Sequence, residues 1–236
     1  MSSPAEFHAR VAGRAARAAL GGGRTTVFAA FERSFYVETA SGIACIGSPD
    51  LGRGPLNVIV DGFKGLSMGD AVLLDMHSTT TWRPPSPMAF QEIPDCEIPE
   101  SVGRQGRAFL DWIGGAGRPD DALIGLGPGL TPVGDDFVGG AMIALRTFGE
   151  HALADRIAGW ALPLARERTN RISRAHLECA AQGEGHEALH ELLRALHKGK
   201  QAIDRALAAL SRVGHSSGRD AAAGALLTLG LNISIA

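Results

Sequence analysis

The chain has 236 residues, a formal net charge of −2, and 45% apolar against 20% charged residues. That balance gives a good core for one large domain or two small ones, and it excludes a general electrostatic pull toward nucleic acid or anionic membrane. No stretch approaches the roughly 18 consecutive apolar residues of a membrane span.

The N-terminus, MSSPAEFHARVAGRAARAAL, is Ala/Arg-rich and reads as a helix. It lacks the continuous apolar region of a signal peptide, so the expected compartment is the cytoplasm. Five segments then carry β-branched and aromatic residues with turn residues between them: 25–31, 34–40, 42–47, 56–61 and 71–76. Short strands at such close spacing predict a small antiparallel sheet or barrel. The stretch 82–99 carries five prolines and reads as the boundary between a β-rich domain, 1–98, and a helical domain, 99–236.

The second part is periodic at helical spacing. Residues 101–113 form a first helix, ended by Gly114 and Gly115. Apolar stripes follow at Phe137–Leu145, Leu153–Leu164, Leu189–Leu196 and Ile203–Val213. The last apolar segment, 221–233, reads either as a buried helix or as a helix ending in a strand. No internal repeat is evident. The fold class is therefore α+β, with a β-rich N-terminal part and a mostly helical C-terminal part. Three scattered cysteines, Cys45, Cys96 and Cys179, argue against a disulfide framework and a structural zinc site.

Two Gly-rich turns stand out as candidate chemistry. The first is GLGPGLTPVGDD, 125–136. Gly125, Gly127, Gly129 and Gly134 let the backbone approach a ligand, Thr131-Pro132 suits a helix start, and Asp135 and Asp136 open the helix. A Gly-rich loop feeding a helix N-terminus suits an anion, whereas adjacent carboxylates suit a cation such as Mg²⁺ or a neutral donor. The turn is neither a Walker A motif nor a clean dinucleotide fingerprint. The plainer alternative is equally open: Asp135 caps, Asp136 complements the helix dipole, and the glycines make only a tight loop.

The second turn is GHSSGRD, 214–220. Ser217 and Asp220 have capping-box spacing, which favours a structural role. Yet His215, Ser216, Ser217 and Arg219 gather at a helix start that suits a carboxylate or phosphate. Between the turns, Thr169, Asn170 and Ser173 begin another predicted helix, with Thr169 and Ser173 on one face. Elsewhere His186 and His190 are four apart, a spacing that also occurs in metal sites.

GLGPGLTPVGDDFVGG and GHSSGRDAAAG, in this order, resemble a bacterial family long carried as a domain of unknown function. Some of its members are assigned as a subunit of oxamate carbamoyltransferase, in anaerobic allantoin breakdown. The resemblance covers roughly the C-terminal 130 residues. It departs at Arg219, where an aromatic residue is expected. It implies a reaction between carbamoyl phosphate and a small acid, in an enzyme built from more than one chain. It also implies a site at Gly127, Gly129, Thr131, Gly134, Asp135, Asp136, Thr169, Ser173, His215, Ser216, Ser217 and Asp220. Asp135, Asp136 and His215 are its candidate catalytic residues, and Asp135 and Asp136 would hold a Mg²⁺ that neutralises phosphate charge.

Three functions follow: a carbamoyltransferase subunit binding carbamoyl phosphate or a similar anion, a non-catalytic assembly or ligand-sensing subunit, and a metal-dependent hydrolase. The hydrolase lacks an evident third ligand. The two turns are expected to converge on one anion-binding pocket, with Thr169 and Ser173 along its wall and with the two aspartates in different roles.

Overall fold

The computed structural model describes residues 3–21, 24–85, 93–214 and 216–231. His215, residues 86–92 of the Pro-rich stretch and the end of the last apolar segment, 232–233, lie outside them. The chain forms two compact units, divided between Pro84 and Pro85.

The first unit is a closed β-barrel. Its elements are β1 (Ala5–Gly13), α1 (Arg14–Leu20), β2 (Arg24–Ala30), β3 (Ser34–Thr39), β4 (Gly42–Gly47), β5 (Asn57–Val60), β6 (Ala71–Asp75) and β7 (Thr80–Trp82). The strand order is β5-β4-β3-β2-β6-β1-β7, and β5 also pairs with β1. Six strands thus close on themselves, and β7 adds to β1 as a seventh. Alternate residues fill the interior: Phe7 and Ala9 from β1, Phe35 and Val37 from β3, Ala44 and Ile46 from β4, Val58 and Val60 from β5. All five segments expected as strands are present. The N-terminus differs from expectation, because residues 5–13 are a strand and only residues 14–20 are helical. Ala and Arg favour helix locally, but β1 is the closing strand of the barrel. Its conformation is set by long-range pairing with β5 and β6, whose rewards exceed the propensity differences.

The second unit is helical: α2 (Gly103–Ile113), α3 (Val133–Thr147), α4 (His151–Arg168), α5 (Arg171–Ala180), α6 (Glu187–Ala195), α7 (Lys200–Leu210) and α8 (Ser217–Gly230). Helix α3 is central. Phe137, Val138, Ala141, Met142, Ala144 and Leu145 are each at most 1% exposed, so α3 is buried nearly all round. An aromatic cluster of Phe109, Trp112, Phe137 and Trp160 joins α2, α3 and α4, with ring centroids 5.6 to 6.2 Å apart. No described helix is long and apolar enough to cross a membrane.

The contact that positions the candidate site is the crossing of α3 and α8. A Cβ on Gly140 would run into the carbonyl oxygen of Ala221, and a Cβ on Gly224 into that of Phe137. The two backbones therefore touch, at the same depth in each helix, within two turns of both N-termini. The reciprocity has a counterpart in the sequence. The pattern G-x-D-x-x-x-G-A occurs at 134–141 and again at 218–225, each residue 84 positions from its mate. The expectation of no internal repeat is corrected accordingly. The repeat is one helix start, used twice and related by a local two-fold; it is too short and too small in side chain to emerge from apolar periodicity.

Candidate functional site at the paired helix starts

The two Gly-rich turns meet. Thr131 Oγ1 lies 2.7 Å from Ser217 Oγ, a hydrogen bond between residues 86 apart in sequence. Convergence of the turns follows from the α3–α8 crossing, which puts residues 131–136 beside residues 216–220.

Each turn closes its own helix start on the backbone. In α3, Gly134 N–H donates to Leu126 O at 3.1 Å, and the Asp135 and Asp136 N–H groups donate to Pro132 O at 3.0 and 3.1 Å. In α8, Gly218 N–H donates to Val213 O at 3.2 Å, and the Arg219 and Asp220 N–H groups donate to Ser216 O at 2.8 and 3.0 Å. The amides expected to cradle an anion are thus largely satisfied inside the protein. Pro132 is the residue before the helix rather than its first, and neither Asp135 nor Asp136 caps it. The capping box is likewise displaced: Ser216 occupies the cap position, and the Ser217 side chain turns to Thr131 instead.

Asp135 is 2% exposed, and both its oxygens are taken. Oδ1 accepts from Gly125 N–H at 2.8 Å, while Oδ2 accepts from Thr169 Oγ1 at 2.5 Å and Ser173 Oγ at 2.7 Å. Thr169 and Ser173 do share a face, as their spacing implies, but that face points at Asp135. Asn170 caps α5, accepting from Ile172 and Ser173 N–H, and its amide reaches Leu130 O at 2.8 Å. The α3 turn is thereby sewn to the start of α5. Three donors around Asp135 leave only one lone-pair site of its carboxyl group, on Oδ1, for any further ligand. No group of three His, Cys, Asp or Glu able to hold a metal ion occurs among the described residues.

Asp136 differs. It is half-buried, and the Thr131 and Ser217 hydroxyls hydrogen-bond its carboxyl group, while its Oδ2 has no partner among the described residues. Burial pushes its pKa well above the usual carboxylate range; the two hydroxyls oppose that shift, and the nearby Asp220 and Asp135 carboxyls add to it. Asp220, the two-fold mate of Asp136, is 7% exposed, and its Oδ2 also lacks a partner among the described residues. Burial raises its pKa too, against the Ser216 hydroxyl and the Arg219 guanidinium, which lower it. A buried acceptor left without a donor costs about 1–3 kcal/mol. Two such oxygens at matching positions of a repeated motif mark a place that stability alone does not explain.

Of the remaining sequence candidates, Gly127 and Gly129 lie on the exposed rim of the turn in left-handed conformations, φ 99° and 104°. Gly134 packs against the Leu123 carbonyl. Ser216 is half-buried beside Asp220. His215 lies outside the described residues. The His186–His190 spacing has another use: His186 Nδ1 accepts from Ala188 N–H at 3.2 Å as the cap of α6, and His190 Nε2 accepts from Gly185 N–H at 3.1 Å. A separate cleft of about 870 Å³ lies at the opposite end of α8, lined by Cys96, Arg107 and Leu226 among others, and holds none of the predicted site residues.

No curated protein and no solved structure matches the chain. The stretch of chain that contains both turns, the α3–α8 crossing and the Thr169–Ser173 face, residues 123–229, matches the family described as oxamate carbamoyltransferase subunit AllH.

Proposed function

We propose that this chain is a subunit of a carbamoyltransferase and that its helical unit binds carbamoyl phosphate, or a closely similar carbamoyl-bearing anion, at the paired starts of α3 and α8. The observation that carries the reading is the meeting of Thr131, Asp136 and Ser217, with Asp220 on the crossing helix start, inside the segment that matches the family. Transfer of a carbamoyl group needs donors and acceptors held around a small planar group, and a rigid pair of crossed helices holds them without reorganisation. The exposed Gly127–Gly129 rim and Arg219 are the groups placed to meet the charged end of such a ligand.

The family's name is that of a subunit, and we infer other chains as partners of this one. A non-catalytic, ligand-sensing role has one observation in its favour: Asp135, Thr169 and Ser173, all candidate site residues, are spent on one another. In that case the isolated chain binds the ligand and turns nothing over.

The test is thermal unfolding of the full chain with and without freshly prepared carbamoyl phosphate. A ligand that binds only the folded state raises the melting temperature, by about 2.7 kcal/mol of stability at 100 times Kd. A Thr131→Val, Ser217→Ala double variant should melt cooperatively and lose that rise. A rise that survives the double variant, or no rise with the unmodified chain, overturns the proposal.

A further inference from the structure

The proposed function leaves open what part of the ligand the buried acids meet. We propose that Asp136 and Asp220 are a two-fold-related pair of hydrogen-bond acceptors that recognises the –NH₂ of a primary carboxamide, and so makes the site select carbamoyl ligands over acyl ligands of the same shape. The inference rests on the reading of the site as a carbamoyl site and adds its specificity.

The N–H groups of Gly134, Asp135 and Asp136, and of their mates Gly218, Arg219 and Asp220, are bound to backbone carbonyls. The Thr131 and Ser217 hydroxyls bond to each other, which uses one of their two protons; their two bonds with Asp136 need a third, which the Asp136 carboxyl, held protonated by burial, supplies from Oδ1, leaving Oδ2 as an acceptor. What the site still presents is acceptor capacity: Oδ2 of Asp136 and Oδ2 of Asp220, both buried and without a partner among the described residues. Asp220 is 7% exposed, and the α3–α8 crossing, with Thr131 bonded to Ser217, sets the helix starts that carry Asp136 and Asp220 side by side.

A phosphate or carboxylate oxygen brings only more acceptors to that space and satisfies neither oxygen. An amide nitrogen brings two N–H donors on one atom, one for each acid. An ammonium ion would also donate, but Arg219 already places a positive charge beside Asp220. The match is therefore to a neutral N–H₂ group rather than to a cation.

The ligand pair that isolates this claim is carbamoyl phosphate and acetyl phosphate, which differ by NH₂ against CH₃. Binding of each to the full chain is measured by titration calorimetry, with methylammonium as a third arm. A site that hydrogen-bonds a substrate N–H rejects the analogue lacking it, so carbamoyl phosphate should bind at least about tenfold more tightly. Asp136→Asn and Asp220→Asn, which add a donor where an acceptor stood, should bring that ratio toward one while acetyl phosphate binding is kept. Equal binding of the two phosphates by the unmodified chain overturns the inference and leaves the proposed function standing. Binding of neither overturns the proposed function, and this inference with it. Methylammonium binding as tight as carbamoyl phosphate overturns the choice of carboxamide, and a preference that survives in both Asn variants overturns the assignment of the acids. Because the first comparison needs no variant, the inference stays testable if a substitution prevents folding.

Discussion

Replacing Asp135 should damage the fold of the helical unit without being a ligand effect. Its carboxyl group is 2% exposed and accepts three hydrogen bonds, from a backbone amide and two hydroxyls. In Asp135→Ala the Gly125 N–H cannot rotate away and loses its partner outright, at about 1–3 kcal/mol, while the Thr169 and Ser173 hydroxyls can turn but lose a net bond of about 1 kcal/mol each. The sum is about 3–5 kcal/mol, the range of a broken buried network. Asp135→Asn keeps one acceptor and faces its amide toward a donor, so about 2–3 kcal/mol is expected. Urea unfolding followed by tryptophan fluorescence reads this well, since Trp112 and Trp160 both sit in the aromatic cluster against α3. A double-mutant cycle of Asp135→Asn with Ser173→Ala should show strong coupling, because the two changes remove the same bond. Losses below about 1 kcal/mol for both Asp135 variants, or additivity within about 0.5 kcal/mol in the cycle, would refute the reasoning.

Gly224→Ala and Gly140→Ala each drive a methyl group into a carbonyl of the opposite helix, so each should cost about 1–3 kcal/mol in urea unfolding and weaken ligand binding by moving the helix starts apart; a Gly224→Ala protein as stable as its parent contradicts the crossing. The chain should also lose stability in acid. His190 and His176 are held neutral by burial, with the nearby His186 adding to the effect, and their pKa values are lowered from 6.5 to about 4. The unfolded chain then binds more protons between those values, so the contribution is fully present above pH 6.5 and is lost as pH falls toward 4, by up to about 3 kcal/mol for each histidine. Urea midpoints at pH 7, 5.5 and 4.5 check this, and His190→Gln should flatten the profile; an unchanged profile would contradict the assignment.

Much of this arrangement is legible in the residues. The barrel strands follow from alternating β-branched and aromatic residues, and the helices from their apolar stripes, because burial on one face imposes a period. Convergence of the two turns follows from their shared chemistry, and Thr131 meets Ser217. Other features depend on partners distant in sequence. Residues 5–13 become a strand only because β5 and β6 flank them. Asp135 and Asp136 are adjacent and chemically identical; their roles separate only once α5 brings Thr169 and Ser173 to one and α8 brings Ser217 to the other. The G-x-D-x-x-x-G-A repeat was visible in principle, but its information lies in glycines, which carry no periodicity signal until the helices are seen to touch.

The central claim is that the crossed starts of α3 and α8 form a binding site for a carbamoyl ligand. A crystal structure of the full chain soaked with carbamoyl phosphate tests it most directly. The account predicts the ligand's NH₂ within hydrogen-bond distance of Asp136 Oδ2 and Asp220 Oδ2, with Thr131 and Ser217 alongside. Well-ordered ligand bound elsewhere on the chain, with these two oxygens satisfied by the protein's own groups, would contradict it.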